Sequence, residues 1–598
     1  MNQNDRTPIL VLWDSDTQHR LSGYLTEILH VEGYNWFAVH DLAHEPVTLA
    51  LLTAYTTVIL THVEPPEETQ RQLLDWVQQG GDLIALRPPE SLAEALGLTP
   101  AGRDLVDRYI AFNSLCAINS GVDLPPLQFH GKADLYTWSR EPSNVLAHFA
   151  AFPDYITAHP AITVGTSGQG RWAVFAYDLA ESTVLFHQGR REQSSTGTLP
   201  DADGDRMYKP NDLFVSYLDP ELCYLPQADL HQDALVRILE WMASLRQPLP
   251  RVWHFPHGAR AVAFINGDGD NMSSQDLANT VATAERFGVP YTAYLMMQDH
   301  PKVAPEWEQA LRDRGHDFGQ HAFAGLLPTP VEMRARLKEE MEAFRSRYGH
   351  EPITYRGHSL VWVGWTDMAK YLRENGVRLD TNFAAGRFHG RGSYVNSSGL
   401  PVKFMDEDGV LLDIYEQATI STDDGLTTDK RFARPLTIDE CIAFSRRQAD
   451  EAMDTYHTVY HPYFHPARTR PGPMSTQQWL EEILRHCTGR GFHFVNGVDW
   501  LNFNDGRRSL RLVEYDWDGD AGTLDLALET EIAAEGATLA LPYLFEGKTL
   551  ARATVDGEPV PATPQTLEGR RQVLLPADYS AAEPRRWRIQ WDAGACPT

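Results

Sequence analysis

The sequence predicts an α/β chain in three parts, and three observations carry that expectation. Short apolar runs alternate with helical spacing over the first hundred residues and again over 251–504, the pattern of parallel sheets covered by helices. A proline-flanked linker, Arg246-Gln-Pro-Leu-Pro250, interrupts the alternation once. After Asn504-Asp-Gly506 the hydrophobic period falls to two, with no competing helical signal. At 598 residues the chain exceeds one core; roughly 150 residues per domain allows about three or four. The expected parts are residues 1–250, 251–505 and 506–598.

In the first part Pro8–Trp13 is an apolar strand and Leu21–Val31 has helical spacing. Thr57–Leu60 is a second strand, and Glu67–Gln79 places Leu73, Leu74 and Val77 on one helix face. Gly80-Gly81 supplies a helix cap and tight turn before the strand Asp82–Leu86. From about 125 to 180 strands dominate: Leu127–Phe129, Val145–Phe152 and Trp172–Ala180. The helix His231–Leu245 closes this part.

The second part repeats the alternation. Its strands are Ala261–Ile265, Tyr291–Leu295, His316–Gly319, Ile353–Tyr355, Val377–Asp380, Leu411–Ile414, Thr458–Tyr460 and Phe492–Asn496. Helices are expected at Gln275–Phe287, Pro305–Arg314, Pro330–Tyr348 and Thr366–Asn375. So many βα repeats fit a (β/α) barrel better than an open sheet. Residues 386–435, rich in Gly, Ser and Asp, read as irregular: a lid or a solvated surface loop. In the third part, Leu510–Val513, Thr523–Glu529, Ala537–Leu541, Ala551–Val555 and Trp587–Trp591 predict a small antiparallel β-sandwich.

Composition narrows the partners. A formal net charge of −29 repels phosphates, so neither nucleic acid nor an anionic membrane is an expected partner. No run of eighteen apolar residues is present, and the N-terminus lacks the basic and apolar regions of a secretory signal. Five scattered cysteines read as free thiols in a reducing compartment, and the expectation is a cytoplasmic protein.

Two segments carry the chemistry. Residues 261–271 run from an apolar strand into Asn-Gly-Asp-Gly-Asp-Asn, and residues 315–321 read Gly-His-Asp-Phe-Gly-Gln-His. They place carboxylates and an imidazole at strand ends, where barrel enzymes keep their chemistry. Asp and Gly also favour turns, while a calcium loop is not expected because the further carboxylates and terminal Glu of an EF-hand are missing. His316, near a strand start, reads as structural. Late in the barrel, prolines stiffen His461-Pro-Tyr-Phe-His465-Pro.

These residues resemble the polysaccharide deacetylase family (the NodB-homology domain of carbohydrate esterase family 4) over about residues 255–505. The family's first motif, an apolar strand ending in Asp-Asp-Gly, matches Ala261–Gly269; its metal-binding Asp matches Asp268, while its general base falls on Gly267. Of Gly-His-Glu-Ile-Gly-x-His-Ser-x-x-His, Gly315–Gly319 and His321 match, and the second metal His falls on Gly325. Arg-x-Pro-Tyr matches through Arg356, and the late strand ending in His matches Val459-Tyr-His461.

The resemblance implies a divalent ion, Zn²⁺ by preference, held by Asp268, His321 and a third ligand. His358 is expected as that ligand, Asp270 as the replacement base, His461 as acid and Arg356 as the group orienting a carboxylate. Trp362 and Trp365 are expected to stack on sugar rings or to be core, and His465 to support the substrate site.

The first part resembles the flavodoxin-like fold of the class I glutamine amidotransferase-like superfamily, also seen in trimerisation domains of some β-galactosidases. Tyr55–Pro88 and Leu127-Gln-Phe-His-Gly131 carry the likeness. Neither Cys116 nor Cys223 lies in a nucleophile elbow, so this part is expected to be non-catalytic and to serve assembly, through a homo-oligomer, or to cover the barrel. The whole predicts a metal-dependent hydrolase of an amide or ester on a carbohydrate-related small molecule or oligosaccharide. The alternatives are a catalytically degenerate sugar-binding or scaffold protein, and a C–N hydrolase of a small metabolite.

Overall fold

The computed structural model describes residues 7–194, 207–215, 217–297, 302–323, 325, 327–384, 394–428, 435–473, 475–581 and 583–593. It is an α/β protein dividing into two compact units. One unit comprises Met1–Leu185, Leu230–Gly258 and Asp505–Thr598; the other comprises Phe186–Asp229 and Ala259–Asn504.

In the first unit, Phe37–Asp41, Ile9–Trp13, Thr57–Leu60, Asp82–Leu86 and Gly170–Phe175 lie side by side and parallel. Antiparallel strands Tyr155–Ser167, Val145–Phe152, Tyr109–Phe112 and Leu127–Gln128 extend the same sheet. The predicted strand 172–180 is corrected: it ends at Phe175 and a helix, Leu179–Gln188, begins. The reason is local. Asp178 Oδ1 accepts the backbone N–H groups of Ala180 and Glu181 at 3.0 and 3.3 Å, the N-cap geometry that starts a helix.

The C-terminal residues form two antiparallel sheets. One holds Arg511–Asp518, Thr523–Glu529, Arg585–Asp592 and Lys548–Val555. The other holds Ala534–Pro542, Arg570–Tyr579 and Pro564–Leu567, with Arg251–Val252 paired to its edge.

The second unit is built on parallel strands whose pairing returns to its start. The predicted first strand is two: Val262–Phe264 pairs with Val459–Tyr460 and His493–Val495, and Asn266–Asp268 pairs with Thr292–Leu295. From there Asp317–Gln320, Thr354–Tyr355, Leu379–Asp380 and Leu411–Glu416 follow in order. Past Glu416 the chain crosses between neighbours: Thr419 N–H donates to Phe383 O at 2.8 Å and Ile420 N–H to His461 O at 3.0 Å. Ser421–Thr422 then pairs with Pro462–Tyr463, which pairs back to Asn266.

The expectation of an irregular segment at 386–435 is corrected in part. Residues 385–393 and 429–434 lie outside the described residues, but Val402–Met405, Leu411–Glu416 and Ser421–Thr422 are strands. Sheet pairing overrides the local turn composition there. Apolar side chains including Ala263, Ile265, Tyr291, Phe318, Phe344, Tyr460 and Trp479 form the core beneath the strand ends. The four described cysteines are free, and no helix of the described residues is long and apolar enough to cross a membrane.

Candidate active site

The chemistry-bearing side chains stand at the carboxyl ends of parallel strands of one sheet, where the chain leaves the sheet. Asp268 ends its strand, His321 follows Asp317–Gln320, Arg356 follows Thr354–Tyr355, Asp423 follows Ser421–Thr422 and His465 lies two residues past Pro462–Tyr463. All five are buried.

Arg356 occupies the centre. Its Nε donates to Thr381 O at 3.0 Å, one Nη to Asn266 Oδ1 at 2.8 Å and Asp268 Oδ1 at 3.4 Å, and the other to Thr419 Oγ1. The Tyr463 and Tyr294 rings lie 4.4 and 5.2 Å from the guanidinium carbon, so the charge is balanced by dipoles, π-faces and a carboxylate.

Two carboxylates and two imidazoles gather on one side. His321 Nδ1 sits 2.7 Å from Arg356 O, which assigns the N–H there and leaves Nε2 facing the carboxylates. Nε2 is 2.7 Å from Asp270 Oδ1 and 3.9 Å from Asp268 Oδ2. His358 Nε2 lies 3.1 Å from the other Asp270 oxygen. Burial raises the Asp270 carboxyl, but the two imidazoles outweigh it and hold it below the usual carboxylate range. Burial likewise opposes charge on His321, yet Asp268 and Asp270 prevail and raise its pKa. His321, pinned through Nδ1, and His358 thus share one carboxylate through close ion-pair contacts.

A second group is tighter. Donor atoms of Asp423, Asp424 and His465 all lie within 4.8 Å of one another. His465 Nδ1 is 2.6 Å from Asp423 Oδ1, its backbone N–H donates to Asp423 Oδ2 at 2.9 Å, and Tyr463 Oη donates to Asp424 at 3.2 Å. Burial disfavours an imidazolium here, but Asp423, Asp424 and Asp268 outweigh it and push the His465 pKa up to about 10.

His461, four residues earlier, is the opposite. Its Nδ1 sits 3.0 Å from Ala418 O, its Nε2 meets Asn266 Nδ2, and its ring stacks on Phe264 at 4.5 Å. Burial first, then the Arg356 charge, pushes its pKa well below the ordinary value, so it is a neutral acceptor.

The structure therefore brings together Asp268, Asp270, His321, His358, Arg356 and His465. Trp362 and Trp365 are buried at 2% and 6% exposure, which leaves no free ring face for stacking on a sugar. Their indole N–H groups donate to Trp365 O at 3.2 Å and to Gln188 O and Gly189 O at 3.1 Å, and Trp362 stacks on Phe404. His316 accepts the Tyr291 N–H at 3.1 Å and reaches Glu285, the structural part expected of it.

Sequence reasoning missed Asp423 and Asp424. The signal was Ile420-Ser-Thr-Asp-Asp-Gly425, an apolar residue running into paired aspartates, hidden inside a stretch read as irregular.

The two glycines that depart from the motif differ physically. A Cβ on Gly267 would lie 1.8 Å from Phe464 O and 2.0 Å from Tyr291 Oη, so that position is closed to any side chain. Gly325 has φ +82° and nothing within 4 Å of its missing Cβ; the space is open but the backbone is left-handed.

No family model matches the chain, and no curated protein matches it in sequence. Solved structures similar to parts of it include CE4 polysaccharide deacetylases. A polysaccharide deacetylase from Bacillus cereus is 14% identical, covering 39% of this chain and 91% of its own at a TM-score of 0.25. A CE4 family pseudoenzyme from Bacillus anthracis is 11% identical, covering 41% and 66% at 0.27. A β-galactosidase from Bacillus circulans sp. alkalophilus is 15% identical at 0.23; the match covers 29% of this chain and spans 28% of that enzyme.

Proposed function

We propose that the chain is a metal-dependent hydrolase of an amide or ester on a carbohydrate-related substrate, with the expected roles of its two motif aspartates exchanged. One observation carries this reading: Asp270 touches both imidazoles, at 2.7 and 3.1 Å, whereas Asp268 lies beside the Arg356 guanidinium at 3.4 Å. Asp270, His321 and His358 are the donors that would hold the divalent ion. Such an ion, when bound, polarises the scissile carbonyl and acidifies a water.

The remaining steps belong to the chain. Asp268, oriented by Arg356, accepts a proton from the attacking water as its oxygen bonds to the carbonyl carbon. His465 donates Nδ1–H to Asp423, so Nε2–H is the proton passed to the leaving nitrogen or oxygen as its bond to carbon breaks. His465 takes the acid role in place of His461, which is neutral and enclosed. Asn266, Thr381 and Thr419 fix the Arg356 plane, so Asp268 needs no reorganisation during the reaction.

Metal content and turnover on N-acetylated glucosamine oligomers test the exchange. Asp270→Ala is expected to lose one equivalent of bound Zn²⁺, and Asp268→Asn to keep it while turnover falls roughly 10²–10⁴-fold. The reverse pattern restores the sequence assignment. A second reading, a degenerate sugar-binding barrel, draws support from the closed position at Gly267. A chain without turnover whose Zn²⁺ content is unchanged by Asp270→Ala would support it.

A further inference from the structure

A different group of side chains lies at the carboxyl edge of the parallel strands in the first unit, where open α/β sheets place ligands. His62 follows Thr57–Leu60 by two residues, and Asp178 and Glu181 follow Gly170–Phe175. We propose that His62, Asp178 and Glu181 form a binding site for a divalent transition-metal ion, independent of the barrel donors.

The donor atoms of the three residues lie within 4.8 Å of one another. His62 and Asp178 are 5% and 2% exposed. His62 Nδ1 is buried, makes no hydrogen bond, and stands 3.5 Å from Asp178 Oδ2. That separation is too long for a hydrogen bond and suits two ligands flanking one ion. Capping of the Leu179–Gln188 helix explains Asp178 Oδ1, and Ser22 Oγ donates to Oδ2, but neither contact explains Glu181 or the unmet nitrogen. A buried ring nitrogen without a hydrogen bond is unfavourable, and a bound ion would satisfy it.

Charge points the same way: the Asp178 and Glu181 carboxylates converge on a single imidazole. The nearby guanidinium of Arg87 is already held by both Asp134 oxygens at 3.0 Å. The His19 ring stacks on His62 at 3.6 Å and closes one side. One nitrogen and two carboxylate donors, with positions left open, match Zn²⁺, Mn²⁺ or Co²⁺ rather than an all-oxygen Ca²⁺ site.

The test uses the full chain, stripped with chelator and equilibrated with Zn²⁺, in an Asp270→Ala/His321→Ala background that removes barrel donors. One Zn²⁺ equivalent is expected to remain. Adding Glu181→Gln or His62→Gln should weaken it by at least ~10-fold. Equal binding in both added variants, or no Zn²⁺ in the background itself, overturns the proposal. Glu181→Gln keeps shape, and circular dichroism checks its fold. Co²⁺ gives the second readout: imidazole-dependent visible absorption present in the background should vanish in His62→Gln, and its persistence also overturns the site. Turnover is not read, so failure of the barrel reading leaves this result distinct.

Discussion

Two buried polar regions use the same residue types to opposite ends. In the first unit Glu568 is flanked by Arg251, at 2.5 Å, and by Arg570, with Glu32, Asp233 and Glu240 on the outer faces of those guanidiniums. In the second unit Asp268, Asp270, Asp423 and Asp424 face one arginine and three histidines. A guanidinium never releases its proton in a protein, so the first arrangement can only hold shape. Imidazoles can take up and release theirs, so the second arrangement can move a proton.

Two histidines make the contrast sharp. His254, beside Glu568, is buried as deeply as His465. Burial, reinforced by Arg251 and Arg507, brings its pKa down to about 4, whereas Asp423 and Asp424 lift that of His465 to about 10. Burial opposes charge on both rings, and neighbouring charges reverse it only at His465.

The comparison breaks first on activity. His465→Gln should cut turnover on N-acetylated oligosaccharides by roughly 10²–10⁴-fold while leaving Zn²⁺ content unchanged; loss of the metal instead would make His465 a ligand. Next comes stability. Glu568→Gln leaves Arg251 facing an amide in a buried site, and urea unfolding should show a loss of about 3–5 kcal/mol. A loss below about 1 kcal/mol would mean the network is replaceable.

The smallest effect is in pH dependence. The His465 pKa is raised on folding, so its contribution is full below about 6.5 and fades as pH rises towards about 10. The His254 pKa is lowered, so its contribution is full above about 6.5 and fades as pH falls towards about 4. His465→Gln should flatten the alkaline slope of unfolding free energy and His254→Gln the acid slope. Unchanged slopes in both would remove the contrast.

Much of the fold was legible because buried strands and amphipathic helices write their periods into the chain. Thr57–Leu60, Asp82–Leu86, Pro330–Tyr348 and Thr523–Glu529 stand where periodicity placed them. Strand 172–180 did not, because one N-cap carboxylate ended it. Ser421–Thr422 was hidden because polar residues entered a strand whose partners, Pro462–Tyr463, lie far along the chain.

The site divides in the same way. The resemblance to the deacetylase motifs, together with placement at strand ends, marked Asp268, Asp270, His321, Arg356 and His358 as one chemistry. Which aspartate meets the imidazoles, which histidine carries a proton, and that Gly267 admits no side chain were settled by packing. These depend on a few ångströms between residues tens to hundreds of positions apart. Residue type and period set what each strand end can offer; only the closed ring of strands decides which offers meet, because Coulomb energy and hydrogen bonding follow distance in space rather than along the chain.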